Sequence, residues 1–346
     1  MQSVSPIRYP QPLRPGNVIG VTAPSAGIDE TMRARFEFCK VTLEARGYEV
    51  RVGECLYSDD IVSAPATKRA DELMRMLLDP SVALVMPPWG GELLINILPH
   101  LDFERLASAP PKWFAGWSDG SVFTLPLAIH TGGASVHGMN FMDSAFAPAR
   151  GVAAWWDVVG LEPGGSFEQR SLAAHQRGFK DYVAFPDVTQ WEPDVASRWQ
   201  VLGADRPIEV SGRMVGGCID VLSKLVGTRY GDIDRFARER APEGLIIYLE
   251  NCESKAADAC RSLHQFRLAD WFKHANAILI GRTKAEPTGA FTQVDAIADA
   301  LGGLNVPVLY DVDISHVPPQ LMVVNGALGA VRYEAGGQAT LTQTFG

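Results

Sequence analysis

The sequence predicts a two-domain α/β protein, with a parallel-sheet α/β domain first and a smaller β/α domain after it. Three observations lead there. Short apolar runs of strand length alternate with stretches of helical spacing through the first half. The pattern breaks across residues 151–205, which are turn-rich, polar and weakly periodic, and resumes near Ile208. At 346 residues the chain is also too long for one ordinary core. The expected division is therefore 1–150, a linker or crossing segment over 151–205, and 206–346.

Each element has its own signal. Asn17–Ala23 is a β-branched run that ends in the turn Pro24-Ser-Ala-Gly27. Glu30–Arg46 carries Met32, Phe36, Cys39 and Leu43 at three- and four-residue spacing, which predicts an amphipathic helix, and Gly47 stops it. Tyr48–Val52 alternates as a strand, Thr67–Leu78 returns to helical spacing, and Val82–Met86 reads as a buried strand. Lys112–Gly116 is a further strand, followed by a helix from about Ser121. Such alternation argues for a mostly parallel sheet covered by helices on both faces. In the second block the strands are Gly244–Leu249, Ala277–Gly281 and Val306–Tyr310, with helices over Cys218–Leu225, Ala256–Phe266 and Gln293–Leu301.

Composition narrows the function classes. Hydrophobic residues make up 47% and charged residues 21%, enough for a packed interior. No apolar run approaches the ~20 residues that span a bilayer, and the first ten residues lack the apolar core of a secretory signal. A cytoplasmic chain with no membrane contact is the expectation. With 31 basic and 40 acidic residues the net charge is −9, which disfavours a nucleic-acid partner. The cysteines at 39, 55, 218, 252 and 260 are odd in number and form no C-x-x-C pair. They are expected to be buried free thiols rather than a disulfide framework or a zinc site.

The strongest chemical signal is Gly116-Trp117-Ser118-Asp119-Gly120, a G-x-S-x-G pentapeptide placed where a strand hands over to a helix. There the glycines permit a sharp turn, and the following amides face a developing negative charge. The plainer reading of Ser118 is a helix N-cap. A serine nucleophile needs a base, and the base needs an acid to orient it. Of the seven histidines, His264 and His274 lie in charge-mixed helical surroundings, His100 caps a helix, and His175 belongs to the crossing segment. His130 and His137 fall on a helix and on the strand beyond it. His316 lies in the loop after Val306–Tyr310, on the side of a strand where open sheets place ligands. Its alternative is a metal site with Asp311 and Asp313, a set short of carboxylates for a hard cation. Glu250 ends the apolar strand Gly244–Leu249, and a buried carboxylate there needs a partner. Glu253 is the competing acid. Pro87-Pro-Trp-Gly-Gly-Glu92 follows a strand and leaves the amides of Gly90 and Gly91 uncovered, without matching any phosphate-binding loop.

Four blocks together resemble the LD-carboxypeptidase and microcin C self-immunity family of serine peptidases. They are Thr22-Ala-Pro-Ser25, the Gly-Gly block running from Trp89 to Asp102, the nucleophile turn Gly116-Trp-Ser-Asp119, and the acid and base blocks at Leu249-Glu250 and His316. The resemblance implies a triad of Ser118, His316 and Glu250 split between the two domains. It also implies an oxyanion hole from the amides of Gly90, Gly91 and Asp119, with no metal and no cofactor. Glu92-Leu93 and Trp89 depart from the usual pattern, and both Trp89 and Glu92 are expected at the substrate cleft. Asn251 departs as well.

The resemblance implies a small-molecule partner, either a murein tetrapeptide losing its terminal D-alanine or an aminoacyl nucleotide losing its amide-linked nucleotide. Trp155, Trp156 and Trp191 are core anchors or, in the second case, stacking surface for a base. A homodimer is a further expectation from resemblance. Two rivals remain: an α/β-hydrolase esterase, which keeps its triad in one domain, and a non-catalytic ligand binder, which offers no nucleophile for covalent trapping.

Overall fold

A computed structural model describes residues 5–346. The first half runs β1 (Val18–Val21), α1 (Arg33–Ala45), β2 (Glu49–Val52), α2 (Ala66–Leu78), β3 (Val82–Met86), α3 (Phe103–Ser108), β4 (Trp113–Phe114) and α4 (Ser121–Thr131). Its four strands form one parallel sheet in the order β2-β1-β3-β4. All four residues of β1 are buried, as expected for a strand covered on both faces. Helix α1 buries Phe36, Cys39 and Leu43, the stripe that the spacing predicts. A 3₁₀ turn capped by the Asp29 carboxylate precedes it and takes Met32. Gly47, at φ 90°, turns the chain into β2.

Residues 151–205 hold more structure than a linker. They contain α5 (Trp155–Val159), β6 (Ser166–Arg170), β7 (Ala174–His175), β8 (Val195–Ala196) and β9 (Gln200–Val201). The reason their periodicity is weak is local. The buried residue of β6 is Gln169, whose amide donates to the Met322 carbonyl at 2.8 Å and accepts from the Met322 N–H at 3.0 Å. A polar side chain thus occupies the position where an apolar one would give a strand signal.

The second half contains β10 (Ile208–Cys218), α6 (Ile219–Leu222), α7 (Ile233–Arg240), β11 (Leu245–Glu250), α8 (Ala256–Leu268), β12 (Ala275–Gly281), α9 (Gln293–Leu301), β13 (Val308–Val312), β14 (Val323–Asn325), β15 (Leu328–Glu334) and β16 (Gln338–Thr344). Eight strands form its sheet, in the order β6-β16-β15-β10-β11-β12-β13-β9. Strands β10 to β13 are parallel, and antiparallel strands complete both edges. The crossing segment supplies both outermost strands, so this sheet has more strands than the first.

The halves are joined in two ways. β5 (Ser135–His137) pairs antiparallel with β14. One apolar cluster also runs without a break from Val21 and Phe114 in the first sheet to Ile247 and Ile278 in the second. All five cysteines are free; Cys39, Cys55 and Cys218 are buried, whereas Cys252 and Cys260 are only half-buried, short of the expected burial. Among the described residues, no helix is long and apolar enough to cross a membrane.

Candidate active site

The turn that carries Ser118 is built by tight packing. After β4 the chain bonds to β5, the Gly116 N–H donating to the Val136 carbonyl at 3.0 Å. A Cβ on Gly116 would lie 2.9 Å from both the Phe114 ring and Pro87, so a side chain there has no room. Ser118 then adopts φ 59°, a left-handed conformation that is costly for a non-glycine residue and is held only by its surroundings. Gly120, by contrast, has negative φ and nothing closer than 4.0 Å. The second glycine of the pentapeptide is therefore not a steric requirement here.

Three sequence blocks of the first half meet on one carboxylate. Asp119 is buried, and its Oδ2 accepts from the Ser25 hydroxyl and from the Leu94 N–H at 2.8 Å. Burial pushes its pKa up, against the opposing effect of those two bonds and of Arg69. Gly90 packs directly on Ser118: a Cβ there would fall 2.8 Å from both its Cβ and Oγ and 3.2 Å from the Asp119 nitrogen. Gly91, at φ 137°, packs instead against Ser25 and Ala26. Trp89 turns its indole N–H to the Gly27 carbonyl at 2.8 Å and braces this loop. Glu92 remains exposed. Partial burial, followed by the charges of Glu253, Asp119 and Asp220, raises its pKa.

His316 and Glu250, the residues expected as base and acid, come from the second half. His316 Nδ1 lies 2.7 Å from Glu250 Oε2, and Glu250 is fully buried. Gly281 makes this approach possible, since a Cβ on it would strike the Ile314 carbonyl and Glu250 Cβ. His316 Nε2 is buried and without a hydrogen-bond partner. The Trp117 ring, one residue before Ser118, lies 4.2 Å from the His316 ring, which brings the nucleophile turn and the histidine loop to one place. Burial is the largest single influence on His316 and depresses its pKa. The Glu250 charge, with contacts from Cys252 and Glu250, outweighs burial and holds it above the ordinary histidine range.

The metal alternative finds no support in the geometry. Asp313 is fully buried and paired with Arg282 at 2.5 Å, Asp311 accepts from Gln200, and His316 is taken by Glu250. The three do not converge on a point.

Asp220, which the sequence reading passed over, and His137, which it set aside, also belong here. Asp220 accepts from the Cys252 N–H at 2.9 Å, the Ser254 N–H at 3.0 Å and the Ser254 hydroxyl at 2.6 Å, pinning the loop that follows Glu250. Burial opposes its charge, yet these bonds prevail and hold its pKa below the ordinary value. His137 in β5 is buried with neither ring nitrogen bonded, and its ring lies 5.2 Å from that of Tyr248 and 6.3 Å from that of Trp117. The available signal for Asp220 was its place just after Gly216-Gly217-Cys218, a strand end that glycines disguise.

A strained serine beside glycine backbone and a carboxylate-bound histidine with its other nitrogen unbonded is an arrangement suited to acyl transfer. Comparison with known proteins agrees at the level of family. The profile of the LD-carboxypeptidase N-terminal domain matches residues 19–138, and that of the C-terminal domain matches residues 211–331. The chain belongs to the LD-carboxypeptidase family.

This LD-carboxypeptidase family chain is 26% identical over 343 residues to a Vibrio cholerae protein that carries the provisional name of a carboxypeptidase, covering 94% of this chain and 95% of that protein. It is 25% identical over 348 residues to the Escherichia coli microcin self-immunity protein MccF, covering 93% and 92% respectively. In structure it superposes on MccF bound to glutamyl sulfamoyl guanosine with a TM-score of 0.80 at 19% identity, over 98% of this chain and 99% of the other. A muramoyltetrapeptide carboxypeptidase from Oxalobacter formigenes superposes with a TM-score of 0.68 at 19% identity, over 94% and 98%. The two-domain α/β fold is that of MccF.

Proposed function

We propose that this chain is a serine hydrolase of LD-carboxypeptidase type, which cleaves an amide bond next to a terminal residue through Ser118, His316 and Glu250. The observation that carries the reading is the pair of environments on His316: Nδ1 is held by buried Glu250, while Nε2 has no hydrogen-bond partner and the Trp117 ring lies 4.2 Å from the imidazole. Ser118 Oγ attacks the carbonyl carbon as His316 Nε2 takes its proton, and Glu250 fixes the imidazole's tautomer. The tetrahedral oxyanion accepts hydrogen bonds from amides of the Gly90-Gly91 block and Asp119. His316 then returns the proton to the leaving amine, and water, deprotonated by the same imidazole, releases the acyl group from Ser118. Glu92, exposed beside the Gly-Gly block, is the proposed substrate contact, with Trp89 bracing it from behind.

A second reading, an amidase acting on aminoacyl nucleotides, draws on the likeness to MccF. The tryptophans favour the first. Trp155 is buried, Trp156 is covered by the Arg46 guanidinium at 3.7 Å, and Trp191 stacks on Phe146 at 3.8 Å, so their rings are already engaged in packing. The test is a mass-spectrometric competition in which wild type and Ser118→Ala meet a murein tetrapeptide and an aminoacyl sulfamoyl adenosine together. Loss of D-alanine with wild type alone supports the carboxypeptidase. Release of the amino acid from the nucleoside supports the second reading, and turnover of neither rejects both.

A further inference from the structure

A cavity of about 610 Å³ opens where β12 and β13 end, the position at which α/β sheets hold ligands. Four cations line it, Arg177, Arg198, Arg282 and Lys284, together with His175 and a single carboxylate, Asp311. In a chain of net charge −9 such a concentration of positive charge is not a consequence of composition.

The lining is incompletely neutralised. Arg282 is only 5% exposed and pairs with buried Asp313 through Nη2, which also reaches the Ser197 hydroxyl. Its Nη1 is buried with no hydrogen-bond partner, as is Nδ1 of His175. A guanidinium nitrogen left unbonded at such depth is costly unless a ligand completes it. Arg177 has only a loose pair with exposed Asp194 at 3.5 Å, and among the described residues Arg198 and Lys284 have no ion-pair partner at all. Asp311, the one carboxylate, is drawn aside by the Gln200 amide at 2.5 Å.

We propose that this pocket is an anion-binding site for a small molecule bearing phosphate or carboxylate groups. Arg282 is the interior anchor, and Arg198 and Lys284 close on the ligand from the rim. The planar guanidinium fork suits the oxygens of either group. Val317 lines the cavity and follows His316 directly, so the site borders the histidine loop. The anion is then either the charged end of the hydrolysed substrate or a separate small molecule. Binding at this pocket does not depend on the role given to Ser118.

The test is calorimetric titration of the full chain with inorganic pyrophosphate at low salt. Wild type is expected to bind one equivalent, with affinity that weakens as salt rises. The Arg198→Ala/Lys284→Ala double variant is expected to lose at least tenfold in affinity with unchanged Tm, whereas Lys40→Ala on α1 retains the wild-type value. Absence of binding at millimolar pyrophosphate, or equal affinity in the double variant, overturns the proposal. A second arm assigns the source. Protection of Ser118 from a fluorophosphonate label by saturating pyrophosphate assigns the pocket to the substrate, and undiminished labelling assigns it to a separate ligand. The binding arm is read without any labelling of Ser118, so it fails or stands by itself.

Discussion

At Ser118 the backbone is strained, and at His316 the ring is locked between Glu250 and Trp117; these two residues carry different kinds of prediction. Ser118→Ala and His316→Ala are each expected to lower kcat/KM by three or more orders of magnitude while the folded protein keeps its circular dichroism. Folded variants with normal turnover would reject the assignment. Glu250→Gln is expected to cost on the order of 10³–10⁴ in kcat, since the amide permits the wrong tautomer. The pH profile adds an independent check. Glu250 raises the pKa of His316, and the base must be neutral to act, so the acid limb of kcat/KM lies above the ordinary histidine value of about 6.5. Removing the Glu250 charge is expected to move that limb to lower pH. For stability, the same pair contributes fully below about pH 6.5 and is lost as pH rises through the folded value.

His137 has the opposite sign. Burial lowers its pKa to about 4, with Glu250 and His316 the charged groups that face it. The unfolded chain therefore takes up a proton near pH 6.5 that the folded chain refuses until about pH 4. Stability is full above that window and falls by up to about 3 kcal/mol as pH drops through it. His137→Leu is expected to flatten this slope, measured as Tm between pH 5 and pH 7; an unchanged slope would refute the cause. The positions of Ser118, Glu250 and His316 were legible in the sequence because each lies at or beyond the carboxyl end of an apolar run. His137 was not, because a histidine in a three-residue strand gives no sign of whether its nitrogens find partners.

Among the elements, strands with one polar face were hard to read and strands apolar throughout were easy. Val82–Met86 and Ala277–Gly281 announce themselves by unbroken apolar runs. β10 does not: Gly212, Gly216 and Gly217 interrupt it, and each accommodates a close neighbour, Gly217 at φ 153° meeting the Ser121 side chain. The same strand delivers Asp220 to the loop after Glu250. Asp220→Ala strands three hydrogen-bond donors and is expected to cost about 2–4 kcal/mol in urea unfolding. It is also expected to lower kcat about tenfold or more, because the loop beside His316 loses its anchor. Asp220→Asn, which keeps an acceptor oxygen, recovers part of both. A kcat unaffected by either substitution would make the residue structural only.

For the molecule as a whole, the length suggested two domains with separate cores, whereas the apolar interiors of the two sheets merge. The apolar cluster is continuous across both sheets, and β5 with β14 ties the first half to the last strands of the second. We expect a single calorimetric transition with matching van't Hoff and calorimetric enthalpies, and two resolved transitions would show that the halves unfold separately. Sequence could not reveal this merger, since the pairing of Val136 with Val324 joins positions far apart in a chain where both runs are only three residues long.

The pairing of β5 with β14 has a consequence in time as well as in space. During synthesis β5, which bonds the chain at Gly116, emerges long before its partner does. A ribosome-bound chain that has not yet exposed residue 316 possesses Ser118 and lacks His316, and β14 and β16 follow later still. Under the proposed chemistry every nascent form is inert, and the appearance of hydrolysis marks the moment the carboxyl-terminal strands dock.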